Sequence, residues 1–262
     1  VRARTLPLRQ RARIRIRRGQ GAFTPPGLVL VDEHGIGVGR VRHPGQVQRV
    51  ADGAAVVGGM VEHVEQDFTP RHAAVATVGE AEAMVYSGLD HILITSQAVG
   101  DDKVRRTAAL ARYADVMVAV DSVDNVRDLS REAAACGSRL GVIIEVDVGM
   151  GRCGVRSPED AVRLAKAASG LPGLAFRGLM GYEGHAVFIG GREERTAAGT
   201  EANAGLVKAA EAVRKAGIPV EIVSAAGTGT YDIAGDFSGI TELQTGSYIF
   251  MDLTYAKLGL PF

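Results

Sequence analysis

The chain has 262 residues with 30 basic and 30 acidic side chains, a balance that excludes the strong overall basic field typical of nucleic-acid-binding proteins. No apolar run approaches the ~20 residues that cross a bilayer, and the N-terminus lacks the apolar core of a signal peptide. Because only Cys136 and Cys153 are present, a disulfide framework is not expected, and we predict a cytoplasmic protein that binds neither nucleic acid nor membranes.

Residues 1–72 form an atypical segment that is rich in Arg, Gly and Pro. The first 18 residues contain eight arginines, whereas the first lysine of the chain is Lys103. A charge run of this kind is usually solvated, so a disordered basic arm is one interpretation. A nucleic-acid-binding arm is a second, although interleaved aromatic residues are lacking, and a segment that is not native to the rest of the chain is a third.

From residue 73 onward, strand and helix patterns alternate. Apolar runs rich in β-branched residues predict seven strands, at residues 73–78, 90–95, 116–120, 140–148, 174–182, 220–224 and 241–251. Helical patterns between them, separated by short glycine turns, predict a parallel sheet with helical crossovers. One more strand, within residues 1–72, would close an eight-stranded barrel. An open doubly wound sheet is the alternative, but no GxGxxG motif follows the first strand.

The central predicted strand ends in the sequence IEVDVGMGRCGV, at residues 144–155. Three glycines there surround a single cation, Arg152. A buried strand that ends in this way presents backbone groups and one positive charge at its carboxyl edge, where α/β folds bind ligands. A strand followed by an ordinary glycine turn is the simpler interpretation.

A second glycine-rich turn, AAGTGTY at residues 225–231, follows the predicted strand at 220–224. Gly227 and Gly229 allow a close backbone approach, and Thr228 and Thr230 add hydroxyl donors, so the turn is suited to an anion. If residues 73–78 form the second barrel strand, this turn follows the seventh, where barrels often bind phosphate. A structural glycine turn is the alternative.

Polar side chains also follow two other predicted strands. Tyr182 is placed to lie along a flat ligand ring, and Glu183 and His185 are candidates for handling protons, although His185 is equally typical of a hydrogen-bonded loop histidine. On the last predicted strand, Gln244 offers an amide either to a ligand heteroatom or to polar groups inside the barrel.

Four motifs, VDVGMGRCGV, GLMGYEGH, AAGTGTYDIAG and TELQTGSYIFMD, together resemble the D-threonine aldolase and D-serine dehydratase family from about residue 74 to residue 255. The resemblance implies an α/β fold, a pyridoxal phosphate (PLP)-binding (β/α)8 barrel of the alanine racemase N-terminal type over residues 73–255. It also implies a lyase of D-β-hydroxy amino acids that forms homodimers and uses a divalent metal. By this resemblance, the PLP-binding residues are Arg152 at the phenolic oxygen or the substrate carboxylate, Tyr182 beside the pyridine ring, Gln244 near its nitrogen, and Gly227, Thr228, Gly229 and Thr230 at the phosphate.

The chain departs from the family at two places. The family's Schiff-base lysine lies on the first strand in a motif resembling RPHAKTHK, and residues 1–102 contain no lysine, so the catalytic residue is not identified. The family's metal site lies in a C-terminal domain, of which residues 256–262 are interpreted as a truncated start, so no metal ligands are predicted. We therefore expect an incomplete barrel and impaired activity. The alternatives are a racemase-like barrel, a non-catalytic PLP-binding barrel and a frameshifted, non-functional product.

Overall fold

The computed structural model describes residues 13–14, 66–67, 72–249, 252–258 and 260. Two short strands, β1 (Arg13–Ile14) and β2 (Gln66–Asp67), pair in an antiparallel manner. Apart from these two strands and His72, the predicted segment 1–72, with its interpretations as an arm or a non-native stretch, lies outside the described residues.

A seven-stranded parallel sheet organises the rest of the chain. Its strands follow one another in sequence order, as β3 (His72–Val75), β4 (His91–Ile94), β5 (Asp115–Val120), β6 (Leu140–Glu145), β7 (Leu174–Met180), β8 (Ile222–Ala225) and β9 (Glu242–Leu243). A doubly wound sheet reverses its strand order near the middle, whereas a barrel adds each strand on the same side of the last. The predicted incomplete (β/α)8 barrel is therefore confirmed, and the doubly wound alternative is wrong.

Helices connect the strands and cover the outside of the sheet. They are α1 (Val78–Tyr86), α2 (Asp101–Leu110), α3 (Val123–Cys136), α4 (Pro158–Gly170), α5 (Gly184–Val187), α6 (Arg192–Lys215), α7 (Tyr231–Gly235) and α8 (Leu253–Ala256), with a 3-10 turn at Ser247–Ile249. The side chains of Thr77, Ser122 and Ser157 accept hydrogen bonds from backbone N–H groups at the starts of α1, α3 and α4. In the part of the chain that the structure describes, no helix is both long and apolar enough to cross a membrane.

The core has two layers because alternate residues of each strand point to opposite faces of the sheet. The outer layer packs strand residues such as Val118 and Ile144 against helix residues such as Leu129 and Leu164. The opposite face carries a smaller cluster from successive strands, made of Ala74, Leu93, Ala119, Ile143, Met180 and Ile222. All six residues of β6 are buried, as expected for a parallel strand that is covered on both faces.

The last predicted strand, at residues 241–251, is wrong over residues 244–249, and residues 250 and 251 lie outside the described part of the chain. The strand ends at Leu243, and Ser247–Ile249 form a 3-10 turn instead. Gly246 interrupts the apolar pattern, and the N–H of Tyr248 donates to Thr228 Oγ1 at 3.1 Å rather than to a neighbouring strand. The chain therefore folds back over the turn that follows β8, which places residues 247–249 beside the predicted anion site.

Candidate functional site

The carboxyl ends of four neighbouring strands bring the predicted ligand-binding segments to one edge of the sheet. Arg152 lies in the loop after β6, Tyr182 follows β7 by two residues, residues 227–230 follow β8, and Gln244 follows β9. Because β6 to β9 are parallel and adjacent, these loops lie side by side.

Arg152 and Tyr182 are in direct contact. The guanidinium carbon of Arg152 lies 5.6 Å from the centroid of the Tyr182 ring, within cation–π range. Arg152 Nη2 also donates to Glu145 Oε1 at 3.3 Å, although about half of the Arg152 side chain remains exposed. The guanidinium of Arg152 is therefore held by Glu145 and is still accessible to a ligand.

Glu145, the last residue of β6, is buried and anchors this part of the site. It accepts a hydrogen bond from Gln97 Nε2 at 2.6 Å and one from the Cys153 thiol at 3.0 Å, in addition to that from Arg152. Burial raises the pKa of the Cys153 thiol, and its hydrogen bond to Glu145 acts in the same direction. The thiol is therefore kept protonated, as a donor to Glu145 needs to be.

The turn after β8 packs tightly against the loop after β7 at both of its glycines, most closely at Gly229. A Cβ atom on Gly227 would lie 3.0 Å from Cε2 of Tyr182, so the backbone lies directly against the ring. A Cβ atom on Gly229 would collide with the carbonyl oxygen of Val187. Tyr182 is itself half-buried, and burial raises the pKa of its hydroxyl.

We call residues 226–230 the anion loop. Ala226 has a φ of 74°, in the left-handed region that non-glycine residues rarely adopt. Within the loop, the N–H of Thr230 donates to Gly227 O at 3.1 Å, and the N–H of Gly227 donates to Thr230 Oγ1 at 3.2 Å. The N–H groups of Thr228 and Gly229, both buried residues, have no acceptor among the described residues. Buried N–H groups are rarely left in this state, so the loop fits a bound anion such as a phosphate.

The two threonine hydroxyls of the anion loop have partners within the protein. Thr230 Oγ1 donates to Glu183 Oε1 at 2.5 Å, while Thr228 Oγ1 accepts from the N–H of Tyr248. The hydrogen of the Thr228 hydroxyl remains available to an anion, whereas that of Thr230 is used by Glu183. The backbone is therefore better suited than the Thr230 hydroxyl to hold a phosphate.

Gln244 lies at the far side of the same edge. Its Nε2 donates to Ser224 Oγ at 2.7 Å, and Ser224 is fully buried on β8. This bond satisfies a polar group inside the barrel, which was the second interpretation of Gln244, and it leaves the amide oxygen as an acceptor.

The structure adds Gln97 and Ser224 to the residues found from the sequence. Gln97 follows β4 by three residues, so its position at a strand end was the signal that could have identified it. His185, in contrast, lies beside Gly149, where a Cβ atom would come 2.9 Å from His185 Cε1, and it is exposed.

The lysines lie on helices or just after one, and the described residues contain no metal cluster. The five lysines of the chain are all exposed, on α2, α4 and α6 or just after α8: Lys103, Lys166, Lys208, Lys215 and Lys257. Among the described residues, no group of three or more His, Cys, Asp or Glu side chains could hold a metal ion.

Comparison with known proteins agrees with this architecture. The chain is 39% identical over 182 residues to 3-hydroxy-D-aspartate aldolase from Paracoccus denitrificans, covering 69% of this chain and 47% of that protein. It is 36% identical over 178 residues to D-threonine aldolase from an Arthrobacter species, covering 68% of this chain and 47% of that protein. The chain thus spans about half the length of the curated relatives it matches.

Solved structures show the same relationship. The crystal structure of D-threonine aldolase from Filomicrobium marinum superposes with a TM-score of 0.71 at 36% identity, covering 72% of this chain and 51% of that one. The structure of D-threo-3-hydroxyaspartate dehydratase from Delftia sp. HT23 superposes with a TM-score of 0.66 at 28% identity, covering 72% of this chain and 50% of that one. Residues 55–254 match the family model of the alanine racemase N-terminal domain. With its incomplete parallel barrel and this match, the chain belongs to the alanine racemase N-terminal domain family, and it is similar to D-threonine aldolase and 3-hydroxy-D-aspartate aldolase.

Proposed function

We propose that the chain is the cofactor-binding barrel of a PLP-dependent lyase that acts on D-β-hydroxy amino acids. The names of its relatives support this proposal, since they include two kinds of aldolase and a dehydratase for such substrates. One observation of the structure carries it. The anion loop leaves two buried N–H groups without an acceptor among the described residues, next to the place where Arg152 and Tyr182 meet.

The residues at the carboxyl edge fit PLP. The N–H groups of Thr228 and Gly229 would hold its phosphate, and the Tyr182 ring offers a flat surface that already contacts Gly227. The Gln244 amide is a neutral hydrogen-bonding group at the neighbouring strand end. When bound, PLP supplies an electron sink for the negative charge that develops at the substrate Cα atom.

Arg152 is the residue best suited to orient the other charged groups. Its guanidinium is planar and permanently charged, and its hydrogen bond to the buried Glu145 restricts where it can move. It would attract either the phenolic oxygen of the cofactor or the carboxylate of the amino acid. Tyr182, packed under the guanidinium, excludes water from that side.

The finer features of the intact relatives are part of the proposal as well. A dehydratase removes water from the substrate and keeps its carbon skeleton, whereas an aldolase cleaves the bond between Cα and Cβ. Both reactions would take place at this edge of the barrel, so these residues support both. The resemblance also implies a homodimer, which a measurement of the oligomeric state in solution would test. The divalent metal has no suitable ligand cluster among the described residues, so the residues present do not fit it.

A non-catalytic PLP-binding barrel is the second candidate, and the positions of the lysines favour it. All five lysines are exposed, on α2, α4 and α6 or just after α8, and none of them lies on a strand of the sheet. A barrel of this kind would bind PLP only through the non-covalent contacts described above.

Equilibrium titration with PLP, pyridoxal and inorganic phosphate tests the proposal. We expect PLP to bind more tightly than pyridoxal, because only PLP can satisfy the two N–H groups of the anion loop. Equal affinity for PLP and pyridoxal would contradict the assignment. Borohydride treatment followed by peptide mass spectrometry then separates the candidates, since PLP attached to a lysine indicates a catalytic barrel and its absence indicates the non-catalytic one.

A further inference from the structure

A carboxylate lies buried against the anion loop. Glu183, two residues before His185 in the loop after β7, is 1% exposed. Its Oε1 accepts from the Thr230 hydroxyl at 2.5 Å and its Oε2 accepts from the N–H of Ala226 at 3.2 Å. These partners are the first and last residues of the anion loop, so a single side chain holds both ends.

These bonds determine the shape of the loop. Ala226 has a left-handed conformation that a non-glycine residue adopts only when its surroundings require it, and its N–H is bound by Glu183. Thr230, held by the other carboxylate oxygen, in turn accepts from the N–H of Gly227. Without Glu183, both ends could relax, and the N–H groups between them would no longer be presented together.

The charge of Glu183 opposes the binding of an anion by the same loop. A carboxylate and a phosphate in contact with one five-residue turn repel each other strongly, because the buried site screens charge poorly. His185 and Tyr182 are the titratable groups that act on Glu183 from its own loop, with the Arg152 guanidinium beyond the Tyr182 ring. On α7, which follows the anion loop, Asp232 forms an ion pair with Arg192 of α6. A proton on Glu183 would remove the repulsion directly.

We propose that Glu183 is the positioning residue of the anion loop and that it takes up one proton from solvent when the loop binds a divalent oxyanion such as the phosphate of PLP. The inference rests on the proposed function, because it takes the loop to be the phosphate site. Burial already raises the pKa of the Glu183 carboxyl, although the Thr230 hydroxyl opposes this shift, so the proton is more readily bound than by an exposed glutamate.

Sulfate is the appropriate probe, because it remains a dianion throughout the neutral pH range whereas the PLP phosphate titrates. Calorimetric titrations of the full chain in two buffers of different ionisation enthalpy measure the protons taken up per sulfate bound. For the wild type, we expect the uptake of nearly one proton per sulfate bound. Over the pH range in which this proton is taken up, the affinity for sulfate should fall by up to about tenfold per pH unit as pH rises.

Glu183→Gln separates the charge from the shape. The amide oxygen can still accept from Ala226, and the amide NH2 can donate to Thr230 Oγ1, so the loop stays tethered while the charge is lost. We expect this variant to bind sulfate without proton uptake and with little dependence on pH. His185→Asn is the matched control and should retain the uptake. Glu183→Ala removes the tether as well, and should bind sulfate at least about tenfold more weakly than Glu183→Gln.

Four results would overturn the inference: wild-type binding without proton uptake, unchanged uptake in Glu183→Gln, loss of uptake in His185→Asn, or equal affinity in folded Glu183→Ala and Glu183→Gln. The wild-type and Glu183→Gln measurements decide the question even if Glu183→Ala does not fold. PLP binding without sulfate binding would overturn the inference and leave the cofactor proposal standing, whereas a wild-type chain that binds neither would overturn both.

Discussion

Replacing Gly229 with alanine tests the anion loop with the smallest possible change. The added methyl group would collide with the carbonyl oxygen of Val187 and would lie 2.9 Å from its Cγ1 atom. Backbone atoms of α5 cannot rotate away as a side chain can, so the anion loop itself has to move. The N–H groups of Thr228 and Gly229 would then no longer point at the same place.

The size of the effect follows from these two N–H groups. A hydrogen bond to a charged group contributes roughly 1.5–3 kcal/mol, so losing both weakens PLP binding by about 3–6 kcal/mol. This corresponds to a roughly 10²- to 10⁴-fold higher dissociation constant for PLP. Overpacking against Val187 should also lower the free energy of unfolding by about 1–3 kcal/mol.

The assay compares PLP and pyridoxal dissociation constants for the parent, Gly229→Ala and Gly205→Ala. Gly205 lies on α6, where an added Cβ atom meets nothing within 4 Å, so its replacement should leave PLP binding unchanged and raise stability by about 0.5–1 kcal/mol. We expect Gly229→Ala to lose the preference for PLP over pyridoxal. A folded Gly229→Ala variant with the parent's affinity for PLP would refute the reasoning.

Three further predictions concern the stability and activity of the chain. Gly154→Ala should cost more than about 2 kcal/mol of unfolding free energy in urea, because its φ is 102° and the new Cβ atom would lie 2.6 Å from Asp147 N. Gly137→Ala, with φ 66° but open space around it, should cost only about 1 kcal/mol, and equal losses would contradict this account. Hydrogen bonds from the N–H groups of Gly151 and Gly149 hold the pKa of Asp147 below its usual value of 3.8, despite opposing desolvation. The ionised Asp147 carboxylate therefore stabilises the fold at pH values above 3.8, and this contribution is lost as pH falls through the lowered pKa. Asp147→Asn should therefore make the free energy of unfolding less dependent on pH in acid. An unchanged dependence would show that other carboxylates dominate the acid range. Purified chain with PLP, Mn²⁺ and D-threonine should show no turnover above background, because every lysine is exposed on a helix or after α8; clear turnover would contradict this reading of the lysines.

The barrel could be predicted from the sequence because its signals are local. Runs such as residues 140–148 combine β-branched residues with flanking turns, and each parallel strand needs little else to be recognised. The predicted last strand is too long because residues 247–249 continue its apolar pattern but form a 3-10 turn. There, the N–H of Tyr248 bonds to Thr228, a residue 20 positions earlier, and only the folded chain shows this contact.

The site could be predicted in part for a similar reason. Strand ends place Arg152, Tyr182 and the anion loop at one edge, and their residue types indicate anion and ring binding. Contacts between distant segments were not predictable, as in the hydrogen bond from Gln97 to Glu145, which joins residues 48 positions apart. The sequence indicates Glu183 as a candidate for handling protons, but its hydrogen bonds to both ends of the anion loop could not be predicted, because they join residues that lie 43 and 47 positions apart.

The amide resonances of Thr228 and Gly229 provide the most direct test of the central claim, that the anion loop binds the phosphate of PLP. Two-dimensional ¹H–¹⁵N NMR spectra recorded during titration with PLP and with pyridoxal would follow both N–H groups individually. We predict that PLP shifts these two resonances downfield more than any others of the described residues, and that pyridoxal does not. Unchanged resonances of Thr228 and Gly229 at saturating PLP would contradict the account.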